Sequence, residues 1–162
     1  MDKQADGPRT VKWVVSSCLA GLKTRYDGGD KFCAKIRELV EKGEALPFCP
    51  EQGGGLTTPR PPAEIVGGDG SDVLAGRARV INKLGDDVTE QFIRGASEML
   101  ELARITGATG AIIKSLSPSC GVGAIYDGTF SGTIREGDGV TAALLRESGL
   151  EVVTENQLGK EL

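Results

Sequence analysis

Residues 11–18 read Val-Lys-Trp-Val-Val-Ser-Ser-Cys and contain the first strand-like run of the chain together with its first cysteine. The first six residues of this stretch form an apolar, β-branched run of strand length, and Cys18 follows where that strand should end. Cys49 and Cys120 also follow apolar runs and enter loops rich in glycine or proline. In an open α/β sheet the carboxyl ends of parallel strands share one edge, which is where ligands bind. We therefore expect the three thiols to meet at that edge.

Runs with helical spacing alternate with these strand-like runs. The predicted order is strand 11–16, helix 31–42, strand 45–48, edge strand 77–82, a helix that opens within 87–90 and runs to 106, central strand 111–114, helix 139–148 and strand 150–153. Asp30 is the expected N-cap of the first helix, and Cys33 lies inside that helix, where we interpret it as a small buried hydrophobe. The alternation predicts an α/β fold: a single three-layer, Rossmann-like domain with a mainly parallel sheet.

Two segments are too long to be simple connections between a strand and a helix. Residues 49–70 are rich in proline and glycine, and residues 115–137 follow the third strand. Loops longer than about 12–15 residues in a compact domain are usually functional or disordered. Because Pro59, Pro61 and Pro62 each fix their backbone φ, we interpret the first segment as a stiff functional loop.

Composition limits the classes of protein to consider. The 162 residues suit one domain, predicted over 11–162 after a frayed, polar segment at 1–10. The net charge of −4 provides no general attraction to nucleic acid or to an anionic membrane. No apolar run approaches the roughly 18 residues of a membrane span, and the first residues lack an apolar signal segment. We expect a cytoplasmic protein without nucleic-acid or membrane partners, and the sequence makes no prediction about its oligomeric state.

The chemistry of three thiols without any histidine restricts the metals that a shared site would take. Soft thiolates favour zinc, copper(I) or an iron–sulfur cluster. A structural zinc normally has four ligands, whereas three cysteines leave one position open. In a reducing compartment cysteines more often bind metals or catalyse than form disulfides. The spacing matches no local metal motif, so buried, unliganded cysteines remain an alternative.

Polar residues in the same loops are candidates for chemistry. Glu51 follows Cys49 by two residues, and Ser115 and Ser117 precede Cys120. Beside a metal, Glu51 would serve as a general acid or base; otherwise it is a solvated loop carboxylate. Arg25 and Arg60 would grip a planar or anionic substrate, or else form surface ion pairs. The glycine clusters lack the spacing of a phosphate-binding loop.

Seven short motifs occur in one order and carry a family resemblance. They are Ser17-Cys18-Leu, Arg25-Tyr-Asp-Gly28, Cys49-Pro-Glu51, Thr58-Pro-Arg-Pro-Pro-Ala-Glu64, the segment from Lys114 to Gly121, Tyr126-Asp-Gly-Thr-Phe-Ser-Gly132 and Glu136-Gly-Asp-Gly-Val-Thr-Ala142. Together they resemble a family of small bacterial proteins long described as a domain of unknown function, some of which are 2-thiouracil desulfidases. The resemblance spans residues 11–153.

The resemblance implies an enzyme that holds a [4Fe–4S] cluster through Cys18, Cys49 and Cys120, a cluster that aerobic handling can remove. It implies non-redox conversion of a thiolated pyrimidine, such as 2-thiouracil, to uracil and sulfide. Glu51 matches the family's acidic residue, and Ser115 matches a serine near the substrate. The expected substrate contacts are Arg25, Tyr26, Asp27, Arg60 and Ser117.

Two other hypotheses follow from the residues. One is a non-catalytic metal- or sulfide-binding module that holds zinc with the same thiols. The other is an ordinary α/β domain with buried cysteines and a nucleotide pocket.

Overall fold

Four parallel strands form the central sheet of the computed structural model, which describes residues 10–158. Along the chain the elements are β1 (Trp13–Ser16), α1 (Ala34–Glu41), β2 (Ala45–Phe48), α2 (Pro50–Gly53), β3 (Ala63–Val66), α3 (Gly70–Leu74), β4 (Arg79–Asn82), α4 (Thr89–Thr106), β5 (Gly110–Ile113), β6 (Ala124–Tyr126), β7 (Ile134–Glu136), α5 (Val140–Glu147) and β8 (Glu151–Thr154), with 3₁₀ turns at Ser17–Ala20 and Glu155–Gln157. Of the segment 1–10 that we expected to be frayed, residues 1–9 lie outside the described residues.

The strand order places the three cysteines together. The central sheet has the order β2-β1-β5-β8, and every pairing in it is parallel. The order reverses beside β1, because the chain passes from β1 outward to β2 and later returns to the other side of β1 as β5. Ligands of open α/β sheets bind at such a switch point, beyond the carboxyl ends of the strands. Cys18, Cys49 and Cys120 lie in the chain segments that leave those three strands.

Alternating side chains bury both faces of the sheet. On one face Trp13 and Val15 of β1 join Ile112 and the Ile36 side chain of α1 in a buried cluster. On the other face Val14 packs with residues of β5, α4 and α5 in a second cluster. A parallel sheet covered on both faces by helices is the three-layer, Rossmann-like α/β fold that the sequence predicted.

The longest helix, α4, begins and ends as the sequence predicted. The Asp87 side chain accepts a hydrogen bond from the Thr89 backbone N–H at its start, and Gly107 ends it in a left-handed conformation. Phe92, Ala96 and Met99 are on its buried side. No helix within residues 10–158 is both long and apolar enough to cross a membrane.

The first helix starts later than predicted, so Cys33 is not inside it. Asp30 accepts a hydrogen bond from the Phe32 N–H, but this closes a turn and does not cap α1. Lys31 and Cys33 donate their backbone N–H groups to the carbonyls of Cys18 and Leu19. These bonds hold residues 31–33 extended against the 3₁₀ turn, so Cys33 becomes the N-cap residue and α1 begins at Ala34.

The strand predicted over 77–82 is not an edge of the central sheet. It is β4, which pairs antiparallel with β3 in a separate two-stranded sheet. The long segments 49–70 and 115–137 also contain regular structure that their Pro- and Gly-rich composition concealed. The first holds α2 and β3, and the second holds the antiparallel pair β6 and β7.

Two glycines let α2 lie directly on α4. A Cβ atom added to Gly95 of α4 would overlap the carbonyl oxygen of Pro50, and one added to Gly54 would overlap the carbonyl oxygen of Gln91. Backbone therefore packs against backbone at this crossing. Because α2 follows Cys49 directly and carries Glu51, the crossing fixes the position of both residues.

We predict that Gly95→Ala destabilises the protein. Alanine is favoured over glycine in a helix by about 1 kcal/mol. However, overpacking costs typically about 1–3 kcal/mol, and here the obstacle is backbone. Because a backbone carbonyl cannot rotate away as a side chain can, we take the upper part of that range, about 2–3 kcal/mol, and expect a net loss of about 1–2 kcal/mol in urea unfolding. Ser97→Ala on the exposed side of α4 is the control and should stay within about 0.5 kcal/mol of wild type. A Gly95→Ala variant as stable as wild type would contradict the close crossing.

Candidate active site

A cavity of about 580 Å³ opens at the carboxyl edge of the central sheet. Cys18, Cys49 and Cys120 all line it, whereas Cys33 does not. Cys18 and Cys120 are buried, Cys49 is half-buried, and none of the four cysteines forms a disulfide. The convergence expected from the strand ends is therefore present in the structure.

Each of the three thiols is held by its local backbone. Cys18 lies in the 3₁₀ turn after β1, and Cys49 is the N-cap residue of α2. The loop that carries Cys120 is anchored on the start of α5, because Val140 and Thr141 donate their N–H groups to the carbonyls of Pro118 and Ser119. The three segments are thus fixed by secondary structure.

Polar contacts reach two of the sulfur atoms. The Ser16 hydroxyl donates to Cys120 Sγ at 3.4 Å and accepts a bond from the Lys114 N–H at 2.9 Å. Cys49 Sγ donates to the Thr24 carbonyl at 3.7 Å, and Arg60 Nη2 lies 4.0 Å from the same sulfur. The donors from Ser16 and Arg60 are placed to stabilise thiolates.

Burial favours the neutral thiol form of all three sulfurs in the metal-free protein. It raises the pKa of Cys18 from 9.0 to about 11, with a further increase from Cys49 and an opposing effect from Lys114 and Arg25. Burial likewise raises the pKa of Cys120 to about 12, although the Ser16 hydroxyl bond opposes it. The pKa of Cys49 is raised by burial and lowered in part by the Gln52 N–H. Metal ligation needs thiolates, so it must release protons.

The raised pKa values predict an alkaline loss of stability in the metal-free protein. An unfolded chain releases the Cys18 and Cys120 protons near pH 9.0, whereas the folded chain retains them to about pH 11 and about 12. The contribution of these two thiols to the free energy of unfolding is therefore complete below pH 9. It is lost as the pH rises, by at most about 1.4 kcal/mol per pH unit for each thiol.

Urea unfolding at pH 8–11 measures this dependence. Cys120→Ser should flatten the fall of the free energy of unfolding above pH 9, because serine does not titrate there. Ser97→Ala, on the exposed side of α4, is the control and should retain the wild-type slope. Identical slopes in all three proteins would refute the thiol assignment.

Glu51 and Arg60 form an ion pair in the cavity wall. Arg60 Nε donates to Glu51 Oε1 at 2.8 Å, and both side chains are largely buried. The other nitrogens of Arg60 donate to the Thr57 carbonyl, the Thr58 hydroxyl and the Thr24 carbonyl. The contacts of Arg60 therefore orient Glu51 and the loop around Cys49, which leaves this guanidinium little capacity to grip a substrate.

Ser115 belongs to a hydrogen-bond network whose acidic member, Glu155, was not predicted from the sequence. Its backbone N–H and its hydroxyl donate to the two carboxylate oxygens of Glu155, at 2.9 and 2.8 Å. Lys114 Nζ donates to the Ser115 hydroxyl at 3.1 Å and lies 3.4 Å from Glu155. Glu155 follows β8 directly, so its place at the end of the last parallel strand was the signal that could have identified it.

The remaining predicted contacts have different surroundings. Arg25 and Tyr26 line the cavity. Asp27 does not line it; its carboxylate accepts the Gly29 N–H and lies 3.5 Å from Arg25. Ser117 lines the cavity, but its hydroxyl accepts the N–H groups of Ser119 and Cys120 and so shapes the loop. Glu64 and Phe130 line the cavity without having been singled out from the sequence.

The donor set fits a cluster better than a single ion. Within residues 10–158, no three Cys, Asp or Glu side chains lie close enough together to hold one metal ion. Thiolates are the usual ligands of iron–sulfur clusters, and three cysteines without any histidine line this cavity. The zinc alternative has no support in this arrangement.

Comparisons with known proteins agree with this chemistry. The family model described as 2-thiouracil desulfurase matches residues 13–157. An uncharacterised Bacillus subtilis protein, YbbK, is 50% identical over 145 residues, which cover 90% of this chain and 96% of that protein. The solved structure of TudS, a [4Fe–4S]-dependent thiouracil desulfidase, is 44% identical and has a TM-score of 0.82. The match covers 93% of this chain and 95% of that one.

Proposed function

The chain belongs to the 2-thiouracil desulfurase family, and we propose that it removes sulfur from a thiolated pyrimidine, such as 2-thiouracil, by hydrolysis to uracil and sulfide. The observation that carries the proposal is that Cys18, Cys49, Cys120 and Glu51 all line the same cavity. Three thiols and a paired carboxylate at one switch point are the parts that metal-assisted hydrolysis needs.

Cys18, Cys49 and Cys120 would hold a [4Fe–4S] cluster, as in the TudS relative. When bound, such a cluster supplies an open iron that polarises a thiocarbonyl as a Lewis acid. The chain contributes cations to the same wall: Arg60 Nη2 lies near Cys49, and Lys114 and Arg25 act electrostatically on Cys18. These positive groups offset the negative charge of the thiolates.

Glu51 is the proposed general base. The Arg60 ion pair presents it to the cavity as a carboxylate, which accepts a proton from a water molecule. The water oxygen adds to the thiocarbonyl carbon and the carbon–sulfur bond then breaks. One C=S and one H₂O give one C=O and one H₂S, and no electron is transferred. The proton taken up by Glu51 passes to the departing sulfur, and the hydroxyl proton of the adduct follows it as the C=O bond forms, which completes H₂S.

Ser115 is the second proposed catalytic residue. The Ser115 hydroxyl donates a hydrogen bond to Glu155 and accepts one from Lys114 Nζ, so the orientation of Ser115 is fixed before a substrate enters. A proton route through Ser115 leads to Glu155. Such positioning of groups ahead of reaction is a main source of catalytic power.

Arg25 and Tyr26 in the cavity wall are the proposed substrate contacts. Asp27 would act through Arg25, and Ser117 through the Cys120 loop. A reducing cytoplasmic location would suit free thiols and a cluster.

Anaerobic reconstitution followed by incubation with 2-thiouracil tests the function. We expect a brown protein that releases sulfide and uracil in equal amounts. Uracil serves as the negative-control substrate, because it lacks a thiocarbonyl. A protein that carries the cluster but yields no sulfide from any thiolated pyrimidine would instead be the non-catalytic binding module.

A further inference from the structure

Glu64 is a buried carboxylate in the cavity wall that the proposed chemistry does not use. It lies on β3, is 9% exposed, and lines the same cavity as the three cysteines. Among the described residues, no Lys or Arg nitrogen lies within 4.0 Å of it. A buried charge without a cationic partner is costly, so its hydrogen bonds must be accounted for.

One oxygen of Glu64 holds a neighbouring loop in place. Oε1 accepts the backbone N–H groups of Gly128 at 2.9 Å and Phe130 at 3.0 Å. Phe130 has a φ of 56°, a left-handed conformation that is uncommon for an aromatic residue, and it lines the cavity. A Cβ on Gly128 would approach the Ile65 carbonyl oxygen to 2.5 Å, so the loop lies against β3. Strained backbone that its surroundings maintain is common at ligand-binding sites.

The other oxygen of Glu64 remains available. Within residues 10–158, Oε2 has no hydrogen-bond partner. In the same residues, every side-chain oxygen or nitrogen that is completely buried does have a hydrogen-bond partner. Oε2 is therefore accessible, and Glu64 lines the cavity. A carboxylate oxygen only accepts hydrogen bonds, so the group that completes this site is a donor.

We propose that Glu64 recognises the substrate: Oε2 accepts a ring N–H next to the thiocarbonyl, while Oε1 holds Phe130 so that its ring covers the heterocycle. The inference rests on the proposed function and narrows its substrate class to planar cyclic thioamides or thioureas that carry an N–H. In 2-thiouracil both neighbours of the C=S carbon are N–H groups. A hydrogen bond to a charged acceptor is stronger than a neutral one, and aromatic stacking suits any planar ring.

Glu64→Gln separates the two oxygens. The amide oxygen of glutamine still accepts from Gly128 and Phe130, whereas its NH₂ group presents a donor where Oε2 presented an acceptor. We expect KM for 2-thiouracil to rise roughly 10- to 150-fold, the effect of losing a hydrogen bond to a charged group. The cluster content should be unchanged, and kcat at saturation should change much less. Glu136→Gln, an exposed carboxylate on the β6–β7 hairpin, is the control and should behave as wild type.

Methylated substrates test the same contact in the wild-type protein. If Glu64 accepts a ring N–H, 1-methyl- or 3-methyl-2-thiouracil should lose affinity, and Glu64→Gln should abolish the discrimination between that compound and 2-thiouracil. Phe130→Leu should raise KM about 5- to 150-fold for every ring, as expected for lost stacking. Equal KM values for Glu64→Gln and wild type in a protein that releases sulfide would overturn this inference and leave the proposed function intact.

Calorimetric binding of uracil makes the inference independent of turnover. Uracil has the same ring N–H groups, so wild type should bind it and Glu64→Gln should bind it at least about 10-fold more weakly. If wild type binds uracil in this way but releases no sulfide, the proposed function fails and the recognition site stands. If wild type and Glu64→Gln bind uracil equally, or neither binds it, the recognition site is rejected.

Discussion

Serine at Cys18, Cys49 or Cys120 is expected to leave the anaerobically reconstituted protein without its iron–sulfur cluster. The three sulfurs line one cavity, and the structure offers no replacement thiol there, because Cys33 lies outside the cavity. A serine hydroxyl is a hard, weakly acidic ligand, whereas clusters are normally held by thiolates. Iron and acid-labile sulfide, assayed per chain, should fall from full cluster stoichiometry to background in each variant.

Cys33→Ser is the matched control for these variants. Cys33 is the N-cap residue of α1 and packs against the core on the α1 side of the sheet. Its replacement should retain full iron content and the visible colour of the protein. Circular dichroism of the four metal-free variants would separate loss of the cluster from loss of the fold. Full iron in a Cys18, Cys49 or Cys120 variant would remove that residue from the ligand set.

The sequence sufficed to predict the convergence of the cysteines because it depends on topology. Apolar runs identify β1, β2 and β5, and the carboxyl ends of parallel strands necessarily lie along one edge. Which strands are neighbours decides whether thiols at that edge can meet. The observed order places β1 between β2 and β5, and so brings Cys18 between the other two segments.

The start of α1 could not be predicted from local signals. Asp30 precedes an apolar helical pattern and is a plausible cap. In the structure, the backbone N–H groups of residues 31 and 33 instead donate to carbonyls of the 3₁₀ turn that contains Cys18. That turn is more than ten residues earlier in the sequence. A non-local backbone pairing therefore overrides the local capping preference, and it also removes Cys33 from the helix.

The polar partners of the site were also beyond sequence reasoning. Arg60 resembles a substrate-binding arginine in the sequence, but four of its contacts are with Glu51, Thr24, Thr57 and Thr58. Glu155 is separated from Ser115 by 40 residues, and Glu64 from Phe130 by 66. Residues this far apart in the sequence form no local motif, so their contacts become visible only in the structure, where the loops surround one cavity.

Glu51→Gln is expected to reduce kcat for sulfide release about 10²- to 10⁴-fold, the usual contribution of one positioned acid–base group. This corresponds to roughly 3–5 kcal/mol of activation free energy. Glutamine retains the shape of the side chain, and its oxygen can still accept from Arg60, so cluster content and folding should persist. KM should change less than kcat, because the lost group acts on the attacking water. Steady-state sulfide release, with iron assayed in the same sample, measures both.

Glu98→Gln, an exposed carboxylate on α4, controls for the loss of one negative charge and should retain wild-type kcat. The size of the change in kcat for Glu51→Gln separates a catalytic role of Glu51 from a role in binding alone. A solvated loop carboxylate would tolerate glutamine, as most surface positions do. The structure argues against that case, because Glu51 is largely buried and paired with Arg60 at 2.8 Å. A Glu51→Gln protein with wild-type turnover would nevertheless eliminate Glu51 as the base, and the Ser115–Glu155 pair would then be the next candidate proton acceptor in the cavity wall.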